Sequence, residues 1–129
     1  MNEFIRRDLL EFFVYEVNLS VDIDIFNKNR EWLLNHFHEM VYKNGFDSLN
    51  LLFIENVDPI NDSFIRKQEI VAQYYISDFS VLSDYLKKQS LKMRSEVYER
   101  LGNKYSISRR VLKVVDRFIN TAEYVSNVG

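Results

Sequence analysis

Three glycines and one proline in 129 residues constrain this chain more than any other feature, because tight β-turns and phosphate-cradling loops draw heavily on those residues. A sandwich of many short strands would have little to turn on, so helices are the economical organisation. Core material is plentiful, with 47% of residues hydrophobic and 15% aromatic. Such a chain folds rather than remaining disordered, as one domain or two very small ones.

Apolar spacing supports helices along most of the sequence. Phe4, Ile5, Leu9, Phe12, Phe13 and Val17 recur every three or four residues, which predicts an amphipathic helix over residues 3–17. Val21, Ile23 and Ile25 alternate with Asp22 and Asp24, a run suited to a connector or a lone strand. Trp32, Leu33, Phe37, Met40 and Val41 predict a helix over 26–43, stopped by Asn44-Gly45. Leu51 to Ile54 is a continuous apolar run, read as helix over 49–57. Asp58-Pro59 breaks the chain, and Asn61 or Asp62 caps a helix through Tyr75. Ser77 or Asp78 starts another through Gln89, and segments 93–104 and 108–125 complete the set. The expected fold is all-α, a compact array of six or seven short helices. Its two parts are an acidic helical core or dimerisation region, 1–76, and a basic three-helix unit, 77–126.

That division follows the charge. The formal net charge is −2, but residues 1–86 carry −8 and residues 87–129 carry +6. A basic segment attracts phosphate and an acidic one is repelled by it, so the split bears on partners.

The basic part contains YERLGNKYSISRRVLKVVDR, from Tyr98 to Arg117, which resembles the twenty-residue helix-turn-helix signature. Leu101 stands at the fourth position, Gly102 at the fifth, Ile107 at the tenth, Ser108 at the eleventh, Leu112 at the fifteenth and Val115 at the eighteenth. The fifth position is where the two helices of the motif approach most closely, which suits Gly102. Ser108 would cap the second helix, and Arg109, Arg110, Lys113 and Arg117 would form its exposed face, with Val114 available to a thymine methyl. Lys87, Lys88, Lys92 and Arg94 would grip backbone phosphate. Ser106 departs from the pattern, which usually has Gly at the ninth position to take a positive φ. A C-terminal motif of this kind is similar to that of Mor-type regulators, and the resemblance implies a homodimer on double-stranded DNA.

Other constellations are thinner. Arg30, His36 and His38 weakly resemble the Arg-His motif of HEPN ribonucleases, but Glu31 departs from it. His36 and His38 diverge by about 200° around a helix, the wrong geometry for a shared metal, and both read as solvated surface. Asp22 and Asp24 lack the further acidic partner and loop glycine of a calcium loop. The aromatic residues Phe12, Phe13, Trp32, Phe37, Phe53, Tyr74, Tyr75, Phe79 and Tyr85 read as core, with some available to a protein partner. Cysteine is absent and no apolar run spans a membrane, which fits a cytoplasmic protein with no membrane partner, and no cofactor or metal is expected.

The sequence-based expectation is therefore a non-enzymatic, sequence-specific DNA-binding transcriptional regulator. Its alternative is a helical antitoxin, immunity, anti-defence or anti-activator protein that blocks a partner through its acidic N-terminal region.

Overall fold

A computed structural model describes residues 12–55 and 67–120. Its elements run β1 (Phe13–Asp22), α1 (Ile23–Asn44), β2 (Ser48–Phe53), β3 (Lys67–Ile76), α2 (Phe79–Asp84), a π-helical turn (Tyr85–Gln89), α3 (Ser90–Leu101) and β4 (Tyr105–Lys113). The strands form one sheet in the order β2-β3-β1-β4, every neighbouring pair antiparallel. Strands from either side of residue 76 thus enter the same sheet.

This α+β arrangement corrects the all-α expectation, and each misread segment has a physical reason. In β1, Tyr15, Val17, Leu19 and Val21 are buried against the helices, alternating with Glu16, Asn18 and Ser20 on the other face. That period of two was obscured because Phe13 and Val17 also lie four apart, a helical spacing. The earlier part of that expected helix, residues 3–11, lies outside the described residues. The segment 49–57 was expected as helix, but Leu49, Leu51 and Phe53 reach the core from β2 on alternate positions. In β3, Ile70, Ala72, Tyr74 and Ile76 are buried while Val71 and Tyr75 occupy the opposite face. Apolar residues on both faces make such a strand read as a continuous run.

The helical expectations over 26–43, 77–89 and 93–104 agree with α1, α2 with its π-turn, and α3. At the end of α1, Gly45 takes a left-handed φ of 72° and donates its N–H to the Val41 carbonyl. Asp78 caps α2 by accepting from the Ser80 N–H at 2.9 Å.

The helices cover one sheet face. Phe26, Leu33, Phe37 and Met40 of α1, Leu82 of α2 and Met93, Val97 and Leu101 of α3 close on the inward residues of β1 and β3. Each fully buried aliphatic or aromatic side chain contributes about 1.5–3 kcal/mol. The opposite face carries no helix among the described residues. The π-turn sets the register of the inner layer: it spaces Tyr85 and Ser90 five residues apart, yet both are buried. Turns of this kind occur disproportionately at functional sites.

Candidate functional site

The two sheet faces hold different chemistry. On the open face, cross-strand register aligns Asn50, Gln73, Glu16 and Arg110 in one row across all four strands. Glu16 is 4% exposed and accepts hydrogen bonds from Arg110 Nε, from Gln73 Nε2 at 3.0 Å and from Asn18 Nδ2 at 3.2 Å. These bonds, Arg110 foremost, hold its carboxyl below the usual range despite the opposing cost of burial. The rows beside it are more apolar: Val14, Tyr75 and Leu112 on one side, Leu52 and Val71 on the other. Beyond β4, Val115 and Arg117 border a hollow of about 910 Å³ with Ser48, Asn50 and Tyr75.

Between the sheet and the helices lies a small cavity of about 30 Å³, enough for one or two waters. Its walls include Tyr15 from β1, His36 and Met40 from α1, Tyr85 from the π-turn, Met93 and Arg94 from α3, and Ile107 and Arg109 from β4. Tyr15 is 2% exposed, and its hydroxyl is the one buried side-chain polar atom without a hydrogen bond among the described residues. Leaving such a group unpaired costs about 1–3 kcal/mol, so its presence calls for an explanation.

The neighbouring phenols differ from it. Tyr74 donates its hydroxyl to the Phe37 carbonyl at 3.0 Å and approaches Met40 Sδ at 3.4 Å, a structural role. Tyr85 lies tilted against Tyr15 with ring centroids 5.6 Å apart, and the two hydroxyls are close enough to interact weakly but not aligned for a well-formed hydrogen bond. Burial, then Tyr15, push the Tyr85 hydroxyl well above its usual range, while Arg109 and Arg94 pull the other way. Tyr85 therefore stays protonated, a donor rather than a base. Neither Arg94 nor Arg109 has a carboxylate partner among the described residues. The cavity thus combines buried hydroxyls with two guanidiniums at its edge, Arg94 exposed and Arg109 half-buried, a combination that suits an oxyanion entering from the mouth.

His36 forms part of the same wall. It is 7% exposed, stacks on Trp32 with ring centroids 4.9 Å apart, and places Nδ1 3.8 Å from Glu96 Oε2. Its expected place on the solvated surface is corrected: the α1 face that packs on the sheet includes it, whereas His38 is exposed.

The residues expected to bind DNA are dispersed. Ser108 and Arg110 face the open side of β4, paired with Asn18 and Glu16, whereas Arg109 faces the helices opposite Val17. Lys113 lies over the Phe13 ring at 5.8 Å, the Val114 N–H donates to the Phe12 carbonyl, and Arg117 borders the open-face hollow. Lys87 and Lys88 lie in the π-turn, Lys88 3.9 Å from Asp84, while Lys92 and Arg94 belong to α3. Of this set, the fold brings only Arg94 and Arg109 to the cavity. Sequence reasoning missed Tyr15, Glu16 and Gln73, whose signal was the alternation within β1 and β3. Gly102 has a φ of 69° after α3, and an added Cβ would meet nothing within 4 Å, so it is a helix stop rather than a close helix contact.

The sequence matches, over residues 12–115, the family described as a domain of unknown function, DUF4286. This chain belongs to the DUF4286 family. No curated relative matches it. Among solved structures it is similar to SnoaB, a cofactor-independent oxygenase from Streptomyces nogalater, at 12% identity and a TM-score of 0.57, covering 84% of this chain and 98% of that one. A dimeric ferredoxin-like protein from an uncultured marine organism matches at 14% identity and a TM-score of 0.54, covering 83% and 98%. The de novo designed protein Foldit4 matches at 12% identity and a TM-score of 0.53, covering 80% and 98%.

The DUF4286 chain therefore has the ferredoxin-like fold, two β-α-β units sharing one sheet. The fold and the family overturn the expected helix-turn-helix regulator and its Mor-type resemblance, because the segment taken for a recognition helix is strand β4. The helical blocking protein falls with the all-α fold. An oxygenase and a designed protein share this architecture, so enzymes use it but it assigns no chemistry by itself. Among the described residues, no helix is long and apolar enough to cross a membrane.

Proposed function

We propose that this DUF4286 chain is a homodimeric, cytoplasmic enzyme that binds a small organic anion at the cavity between its sheet and helices, and acts on it by hydrogen-bond and proton donation. The observation that carries this reading is the Tyr15 hydroxyl, buried without a partner beside two unpaired guanidiniums. An oxyanion in the cavity would satisfy Tyr15 and, at the mouth, neutralise Arg94 or Arg109. Donors placed in advance around a developing negative charge stabilise it at little reorganisation cost. The body of the ligand would lie along the mouth, where the long side chains of Met93, Arg94 and Arg109 can adjust.

The oxygenase named among the similar structures supports an enzymatic use of the fold, and the dimeric ferredoxin-like protein supports assembly as a pair. The open face suits a second copy. Its centre is an internally paired Glu16–Arg110 row, and the flanking Leu52, Val71 and Leu112 supply apolar area. The absence of cysteine supports the cytoplasmic placement.

Thermal unfolding of the purified protein with acetate, benzoate and 4-hydroxybenzoate tests the binding reading. A saturable rise in Tm for at least one, lost in Arg94→Ala with Arg109→Ala, is expected. Absence of any shift across the series contradicts it.

A further inference from the structure

His36 contributes to two hollows. Its ring helps line the inner cavity with Tyr15 and Tyr85, and it also borders an outer cleft of about 500 Å³ between α1 and α3, bounded by Trp32, Glu39, Glu96 and Arg100. On the outer side, Nδ1 faces Glu96 Oε2 at 3.8 Å. The stack on Trp32, itself covered by the Arg100 guanidinium at 5.3 Å, fixes the plane of the imidazole. One titratable side chain thus stands between the candidate anion site and an acidic cleft.

We propose that anion binding in the inner cavity is coupled to uptake of one proton at His36, making it a positioning residue whose imidazolium is held between the bound anion and Glu96. This inference rests on the inner cavity being the anion site.

The charged and titratable groups around His36 set the balance. Glu39 and Lys43 come from its own helix, and Glu96, Glu99 and Arg100 from α3 border the outer cleft. Tyr15, Tyr85, Arg94 and Arg109 face the inner cavity. In the free protein, burial outweighs the pull of Glu96 and Glu39 and holds His36 below its ordinary value of 6.5, so it is neutral at pH 7. An anion placed beside it favours the charged form. Binding and protonation then strengthen one another by the same factor.

Isothermal titration of the intact protein with benzoate, between about pH 5 and pH 8 in buffers of different ionisation enthalpy, tests the coupling. Affinity is expected to rise as pH falls, by about tenfold per pH unit where free His36 is neutral and bound His36 is charged, with uptake approaching one proton per benzoate. His36→Gln should flatten the profile, and Glu96→Gln should move it to lower pH. An NMR titration of the His36 ring in the wild-type protein gives a readout independent of how the variants fold, and benzoate should raise its pKa. Benzoate affinity that does not vary with pH, or an unchanged His36 titration at saturation, overturns the coupling alone. Failure of acetate, benzoate and 4-hydroxybenzoate alike to bind at any pH overturns the coupling together with the anion site.

Discussion

Arg109 and Arg110 are consecutive in β4 yet serve opposite faces of the sheet: Arg109 pairs across from Val17 and points into the helix-covered layer, while Arg110 pairs across from Glu16 on the open face. A helix would have set them about 100° apart on overlapping surfaces. The strand separates them, giving one guanidinium to the cavity and the other to a buried carboxylate.

Tyr15→Phe is expected to leave the fold as stable as the wild type or to stabilise it by up to ~1 kcal/mol, because it removes a buried hydroxyl that has no partner. Tyr74→Phe should instead cost about 1 kcal/mol, since the Tyr74 hydroxyl is bonded to the Phe37 carbonyl. Urea unfolding of the two variants checks the contrast. Equal destabilisation would mean that Tyr15 has a structural partner after all.

Arg110→Ala should destabilise by about 1 kcal/mol, a modest figure because the arginine side chain is 64% exposed. Its pH dependence is more informative. The folded-state pKa of Glu16 is depressed, so its stabilising contribution is complete above the ordinary value of 4.5 and is lost as pH falls through the folded value. Urea midpoints measured from about pH 7 down to pH 3 should show the variant losing less stability with acid than the wild type. Parallel profiles would contradict the link between Arg110 and the Glu16 pKa.

At Gly102, Ala and Leu should cost similar amounts, about 1–2 kcal/mol, because the penalty comes from a φ of 69° and not from crowding. Chemical denaturation distinguishes this from a close helix contact, where Leu would be far worse than Ala.

Helix boundaries were the legible part of the fold. Asn44-Gly45 and Asp78 act at the ends they suggested, since caps are local chemistry. The strands were hidden because β1 and β3 carry apolar residues on both faces, as Val14 beside Tyr15 and Tyr75 beside Tyr74 illustrate. Scarcity of glycine misled for a related reason. Two of the three connections between strands contain helices and need no tight glycine turn, and the third joins β2 to β3. That link runs through the segment containing Asp58-Pro59, outside the described residues. The helix-turn-helix pattern borrowed its glycine from the stop of α3 and its Ile107 and Leu112 from opposite faces of β4. In the candidate site, Tyr85 was legible as a core aromatic. The unpaired state of Tyr15 was not, because it depends on residues distant in sequence.

The cavity claim is tested most directly by NMR titration of the protein with benzoate, reading the Nε–H signals of Arg94, Arg109 and Arg110 separately. Saturable shifts are expected at Arg109 or Arg94, abolished or weakened at least tenfold by Tyr15→Phe, with Arg110 unmoved because Glu16 already occupies it. Saturable shifts confined to Arg110, or shifts at Arg94 and Arg109 that survive Tyr15→Phe unchanged, would contradict it.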